Sequence, residues 1–476
     1  MNINRSKTKI VATLGPASTP KDILKKLIYE GVDVFRINFS HGTHEEHLKE
    51  IQLINEVRSE IESNVAILAD LQGPKIRIGD VENNHLDLIE GDELTFVNEK
   101  CIGTKEKIYL SYPEFARDVK LGEYILIDDG KLRLEVISTN KTNTVKAKVI
   151  NGGVLSSKKG VNLPNTAISL PSLTQKDIED ANFAIDHDVD WIALSFVRTV
   201  TDVVELQQII KRKKKHTWVV AKIEKPEALK EIDNIIDMAQ CIMVARGDLG
   251  VEVPFEQVPL IQKDIVNRCI LRGKPVIIAT QMMESMITNF RPTRAEATDV
   301  SNAVIDGADA LMLSGETSVG KYPIETINAM HSIIKWAEKN AYNFNIKNPP
   351  IDFTRTFLAD SICYNATQLA AQSNAKAIIT FTYSGYTAYK ISSYRPQAET
   401  FVFTSNRLLL DKLSLFWGVR AIYFDKYDNI DDAINYSINI LKELNCIKAD
   451  DIVVHVGSTP LHEKGSTNML KISYVN

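Results

Sequence analysis

With 476 residues, 44 % of them hydrophobic and 25 % charged, the chain has the composition of a soluble globular protein of about three domains. Its 56 basic and 61 acidic side chains leave a net charge of −5, which favours neither nucleic acid nor an anionic membrane, and no apolar run approaches the roughly 20 residues that span a bilayer. The polar start has no signal-peptide core, and the five cysteines are odd in number and lack CxxC spacing, so reduced thiols and a cytoplasmic location are expected.

In chain order, short β-branched apolar runs predict strands at Lys9–Leu14, Val34–Phe39 and Val65–Leu71. Amphipathic segments such as Lys21–Tyr29 and His44–Ser59 lie between them as helices. The next comparable run starts only at Trp191, whereas a βα loop normally has about 2–6 residues. That interval contains short alternating runs, Thr95–Phe96, Ile108–Leu110, Tyr124–Ile127, Leu132–Ile137 and Val145–Val149, with turn signals at Asp129-Gly130 and Gly152-Gly153. Residues 73–167 are therefore read as a small β-barrel domain inserted after strand three.

Strands resume at Trp191–Phe196, Trp218–Ile223, Cys241–Val244, Pro275–Thr280 and Ala310–Leu313, with helices such as Val203–Lys211 between them. Eight continuously apolar strands, each followed by a helix, predict a (β/α)8 TIM barrel built from residues 1–72 and 168–348. After Asn348-Pro349-Pro350, helix Leu358–Gln372, strand Ala377–Thr380, helix Thr387–Ser393 and strands Thr400–Phe403, Ala421–Phe424, Ile452–His455 and Leu470–Ser473 predict a C-terminal open α/β sheet domain, residues 349–476.

Barrel enzymes carry their chemistry at the carboxyl ends of the strands. Seven of those ends are rich in polar and ionisable groups: Thr13–Pro16, Arg36–His41, Asp70–Pro74, Lys222–Glu224, Arg246–Asp248, Thr280-Gln281 and Ser314–Thr317. Glu224 and Asp248 lie on adjacent strand ends, and two hard carboxylates suit Mg²⁺ shared with a phosphorylated substrate. Lys222 and Glu224 share a strand face because side chains alternate, so an ammonium stands beside the metal pair. Arg36 adds a second cation, and the set matches the needs of phosphoryl transfer. The turn Arg246-Gly247-Asp248 leads into a helix expected over Glu256–Asn267, whose start offers free amides to a substrate carboxylate.

Other candidates read more plainly. The stretch Gly315–Tyr322 resembles a phosphate-binding GxxxxGK[ST] loop but has Tyr322 where that loop needs Ser or Thr, so it is read as structural support. His41, His44 and His47 lie at helical spacing among glutamates and are read as a solvated face rather than a metal cluster. The run 211–215 closes a helix, where cations suit the dipole. Asp70 is expected to have a structural or cation-site role. Met282, Met283, Met286, Cys241 and Cys269 are expected to serve in packing.

The stretches TKIVATLGPAS (8–18), FRINFSHG (35–42), DLQGPKIRIG (70–79), KKGVNLP (158–164), AKIEKPEAL (221–229), VARGDLGVEVP (244–254), ATQMMESM (279–286), PTRAEATDVSNAV (292–304) and DGADALMLSGETSVGKYP (306–323) resemble pyruvate kinases, over essentially the whole chain. The resemblance implies phosphoryl transfer from phosphoenolpyruvate to ADP, giving pyruvate and ATP, with Mg²⁺ or Mn²⁺ on Glu224 and Asp248. Lys222 and Arg36 would contact the phosphoryl group, Thr280 would help protonate the enolate, and the Gly247 and Asp248 amides would meet the substrate carboxylate. Thr13, Pro16, Asn38, His41, Arg77 and Lys159 would meet the nucleotide, and the insert would close as a lid. Asn38, Ser40, Asp70 and the Leu71 carbonyl would surround a monovalent cation. A homotetramer is implied as well.

Two positions depart from the family pattern. Where potassium-dependent members have Glu after the Gly-Pro turn, this chain has Lys75, whose tethered ammonium is expected to replace the ion, so that K⁺ is not required. In the C-terminal domain the effector loop reads Thr382-Tyr383-Ser384-Gly385-Tyr386-Thr387, with tyrosines where activator-binding relatives have cations. Thr382, Ser384, Gly385 and Thr387 still suit a phosphorylated activator at a helix start. Two rival functions are a barrel lyase or aldolase with a Schiff base on Lys222, and a catalytically silent scaffold.

Overall fold

The computed structural model describes residues 6–350, 355–425, 429–459 and 467–476. Eight parallel strands close into a barrel in the spatial order Lys9–Thr13, Ala310–Leu313, Val276–Ala279, Cys241–Ala245, Trp218–Ile223, Trp191–Leu194, Ala66–Asp70 and Val34–Asn38. The strands are apolar throughout because both faces are covered: one packs on the surrounding helices and the other fills the barrel. Four of the surrounding helices open with capping boxes, in which Thr43, Thr174, Thr199 and Thr293 pair with Glu46, Asp177, Asp202 and Glu296. Each box satisfies amides that would otherwise lack partners and fixes where the loop from the strand end becomes a helix.

The expected strands all form, with ends shifted by one or two residues. Pro275–Thr280 shortens to Val276–Ala279, because Thr280 and Gln281 take left-handed backbone angles (φ +70° and +53°). The reading of Arg246-Gly247-Asp248 as a turn before one helix is corrected. Those residues are themselves the first turn of a short helix, Arg246–Glu252, and a second helix, Val258–Arg272, begins after Pro254. Proline removes an amide donor and disfavours helical angles in the residue before it, so the run breaks there.

The insert forms a six-stranded sheet in the order Val161–Asn162, Tyr124–Ile127, Leu132–Thr139, Thr144–Asn151, Glu93–Val97 and Ile108–Tyr109. Single bridges from Arg77 to Gly160 and from Ile78 to Leu110 tie its two edge strands together, so the sheet curls round a core of its own. A two-stranded ribbon, Leu86–Leu88 with Gly153–Leu155, completes it.

The C-terminal sheet runs Val419–Tyr423, Glu399–Thr404, Ala377–Phe381, Ile452–Gly457 and Met469–Tyr474, with the last strand antiparallel. It sits at the end of the barrel where the strands start. Trp191 and Trp218, the first residues of two barrel strands, pack against Phe416, and Trp218 also packs against Tyr389. Arg395 forms a two-armed ion pair with Asp309, just before strand Ala310–Leu313. The opposite end is left to the insert and the polar strand ends. Among the described residues no helix is long and apolar enough to cross a membrane.

Candidate active site

The strand ends meet around Lys222. Its ammonium lies 2.9 Å from Glu224 Oε1, 3.1 Å from Asp70 Oδ1 and 2.6 Å from the Ser195 hydroxyl. Burial by itself would lower the Lys222 pKa, but Asp70, Glu224 and Asp248 outweigh it and raise it above the ordinary lysine range. Burial works on Asp70 in the opposite sense, and there the Lys222 and Arg36 cations prevail and hold its carboxyl below the usual range. Glu224 is raised, first by burial and then by the Asp248 charge, with Lys222 acting against both.

Arg36 is fixed on two sides. Its Nε donates to Asp70 Oδ2 at 2.6 Å, and a terminal nitrogen donates to the Thr13 hydroxyl at 3.0 Å. Thr13 is buried and donates to the Leu313 carbonyl, so its hydroxyl is spent on orienting Arg36. Glu224 accepts from the Phe196 amide at 2.7 Å through its other oxygen. Asp248 is half-buried and lines the cleft between barrel and insert, and its side chain makes no hydrogen bond or ion pair among the described residues. Two hard carboxylates, one of them open to the cleft, fit a divalent cation that takes its remaining ligands from water and substrate. Among the described residues no group of three or more His, Cys, Asp or Glu side chains is arranged for a metal.

The short helix Arg246–Glu252 presents its first amides to the same space. The Gly247 amide donates to the Thr280 hydroxyl at 2.7 Å, and that hydroxyl donates to the Ala279 carbonyl. Arg246 pairs with both oxygens of Asp299 and donates to the Thr280 and Gln281 carbonyls, which holds the left-handed bend in place.

The remaining candidates occupy the rim. Asn38 accepts the Ser40 amide through Oδ1, and the Leu71 carbonyl accepts the Ser195 hydroxyl. Pro16 and His41 are exposed. Arg77 and Lys159 belong to the insert, where Arg77 donates to the Lys158 carbonyl and Lys159 lies 2.9 Å from Asp128. Lys75 is exposed, lines the cleft beside Gly160, and forms no ion pair among the described residues.

Far from this mouth, the loop 382–387 caps its own helix. The Gly385 amide donates to the Thr382 hydroxyl, Ser384 accepts the Tyr386 amide, and Tyr386 donates to Asp360. Thr387 is buried against Thr467.

Two readings of the sequence need amendment here. His47 is not on a solvated face: it is buried, with its ring 4.2 Å from that of Phe39. The site also contains a strand end that the sequence reading passed over. The fourth strand stops at Leu194, and the next two residues supply the Ser195 hydroxyl to Lys222 and the Phe196 amide to Glu224. The rule applied to the other seven ends would have found both. Within loop Gly315–Tyr322, buried Glu316 accepts the Met283 and Ser314 amides.

Comparison with known proteins is consistent along the whole chain. The family model for the pyruvate kinase barrel domain matches residues 5–327, and that for the pyruvate kinase alpha/beta domain matches residues 360–473. A pyruvate kinase of Geobacillus stearothermophilus is 42 % identical over 474 residues, covering 99 % of this chain and 81 % of the relative. One from Staphylococcus haemolyticus is 41 % identical, covering 98 % and 80 %. Among solved structures, a pyruvate kinase from Cryptosporidium parvum superimposes with a TM-score of 0.92 at 34 % identity, covering 99 % of this chain and 96 % of the other.

Proposed function

The chain belongs to the pyruvate kinase family and is a phosphotransferase, and we propose that it moves the phosphoryl group of phosphoenolpyruvate to ADP with a divalent cation and without potassium. The observation that carries this reading is the Lys222 ammonium, held 2.9 Å from Glu224 and 3.1 Å from Asp70 at the barrel mouth. Phosphoryl transfer places negative charge on oxygens that have to be neutralised in flight, and a cation fixed in advance does so without reorganising. Arg36, pinned by Asp70 and Thr13, supplies the second fixed charge.

Glu224 and Asp248 hold Mg²⁺ or Mn²⁺, which when bound neutralises phosphate oxygens and polarises the substrate. The substrate carboxylate sits at the start of helix Arg246–Glu252. It meets the Asp248 amide directly, and the Gly247 amide once that has left Thr280. Thr280 stands beside the substrate's methylene carbon and relays a proton to it. Arg77 and Lys159 from the insert, with Pro16, Asn38 and His41 on the rim and buried Thr13 behind them, receive ADP. Thr13 acts here through Arg36, because its hydroxyl is already used. Closure of the insert excludes water that would intercept the phosphoryl group.

Asn38, Ser40, Asp70 and the Leu71 carbonyl form the monovalent-cation position, which Lys75 serves in place of K⁺. A phosphorylated activator at Thr382, Ser384, Gly385 and Thr387 has to displace the loop's own caps, and a flat velocity response to sugar phosphates and AMP removes it. A homotetramer in the cytoplasm completes the reading.

A Schiff-base lyase is disfavoured. It needs an unprotonated amine, and the carboxylates around Lys222 keep the ammonium protonated. The deciding experiment follows pyruvate formation from phosphoenolpyruvate with and without ADP, Mg²⁺ and K⁺. Turnover that needs ADP and the divalent ion supports the kinase, whereas substrate trapped on Lys222 by borohydride overturns it.

A further inference from the structure

We infer that Glu252 is a positioning residue, joining the segments that carry Glu224 and Asp248 to one another and latching the insert onto both. The inference rests on the reading of Glu224 and Asp248 as the divalent-cation pair. Glu252 ends the helix Arg246–Glu252, which carries Asp248 in its first turn. Its side chain is buried, and its Oε1 takes two donors, Lys225 Nζ at 2.7 Å and Asn162 Nδ2 at 2.9 Å. Lys225 directly follows Glu224 on the neighbouring strand end. Asn162 lies in the insert strand Val161–Asn162, in register with Leu126. One carboxylate oxygen therefore ties together the Glu224 segment, the Asp248 helix and the insert.

The same parts also approach one another closely at a second place. A side chain built at Gly130, in the insert turn after Asp128, would touch Val251 at 4.0 Å. Asp128 in that turn holds Lys159, one of the nucleotide candidates. The insert turn that pairs with Lys159 therefore comes close to the helix that carries Asp248.

The two donors differ in what their loss entails. Lys225 and Glu252 are both buried, and separating them would leave an uncompensated charge in the interior, so that half of the latch is permanent. The Asn162 amide is neutral and can be rehydrated when the insert swings away, leaving Glu252 still neutralised by Lys225. The insert can therefore open without dismantling the carboxylate pair, and its closure restores one charge-assisted bond beside the cation site.

The test uses the full chain. Mn²⁺ affinity is read by electron paramagnetic resonance without substrate, amide hydrogen exchange reports opening of the insert, and KM for ADP is separated from kcat. Asn162→Ala is expected to leave Mn²⁺ affinity unchanged, speed exchange at the insert's junctions with the barrel and raise KM for ADP more than it lowers kcat. Glu252→Gln is expected to weaken Mn²⁺ binding by about tenfold, the lower end of what outer-shell partners of a metal site cost. Should Glu252→Gln fail to fold, Lys225→Gln reads the same affinity. Wild-type exchange and KM in Asn162→Ala, or wild-type Mn²⁺ affinity in Glu252→Gln or its substitute, overturns the latch. Glu224→Gln separates the two readings: if it binds Mn²⁺ as the wild type does, the metal assignment falls on its own evidence.

Discussion

Lys222 Nζ stands 3.1 Å from Asp70 Oδ1, although the strands that carry them are separated by a third, Trp191–Leu194. The other Asp70 oxygen holds Arg36 at 2.6 Å. One carboxylate, only 1 % exposed, therefore fixes both cations of the mouth and keeps two like charges side by side. Both of its oxygens face cations, and those cations hold the carboxyl below the usual range.

Replacing Lys222 by Met tests the central cation. Turnover in the coupled assay should fall by at least about 10³-fold, because a preorganised charge facing the transferring group is lost. Phosphoenolpyruvate binding, followed by fluorescence titration, should survive through Arg36 and the helix amides. Near-normal turnover would remove Lys222 from the mechanism.

Lys75 offers a second test. It is exposed in the cleft and unpaired with any carboxylate among the described residues, so its ammonium is available to a closing active site. Activity should not change when tetramethylammonium replaces K⁺, and Lys75→Glu should make the rate rise with K⁺. A wild-type enzyme that stops without K⁺ would contradict this.

The barrel was legible because its strands are buried on both faces and read as continuous apolar runs. The Lys222–Glu224 pair was legible because alternation along one strand is local. What escaped the sequence depends on tertiary partners. Reading the fourth strand through to Phe196 hid the polar end at Ser195, since Phe196 looks like strand and Ser195 is small. Thr280 is β-branched and favours extended backbone, yet Arg246 grips its carbonyl and that of Gln281 and holds both left-handed. Nothing local marks Glu252 as the partner of Lys225 and Asn162, because 27 residues separate it from one and 90 from the other. The edge strands Leu86–Leu88, Gly153–Leu155 and Val161–Asn162 are two or three residues long, too short for a period to show.

The junction between barrel and C-terminal sheet supports a stability prediction. Arg395 and Asp309 are almost wholly buried, paired through both nitrogens at 2.9 Å, and Asp309 also accepts the Val276 amide. Arg395→Met leaves that carboxylate in the interior without its cation, which should cost about 3–5 kcal/mol. The urea midpoint of the variant should drop accordingly. A loss below about 1 kcal/mol, the range of an exposed ion pair, would mean that water reaches this junction.

His455 gives a pH dependence with a definite sign. It lies on the C-terminal strand Ile452–Gly457, fully buried, with Nε2 3.2 Å from the Ser473 hydroxyl. Burial, helped by the nearby Lys471 charge, pushes its pKa down to about 4. The unfolded chain takes up a proton near pH 6.5, the folded chain only near 4, so the unfolded state binds more protons in that window. Stability from this residue is therefore intact above about pH 6.5 and is lost progressively as the pH falls towards 4. The loss should reach about 2 kcal/mol by pH 5. Because other groups also titrate there, the reading is a difference: His455→Leu, which cannot take up a proton, should lose less stability than the wild type between pH 7.5 and pH 5. Parallel curves would show that the imidazole is reached by water and titrates alike in both states.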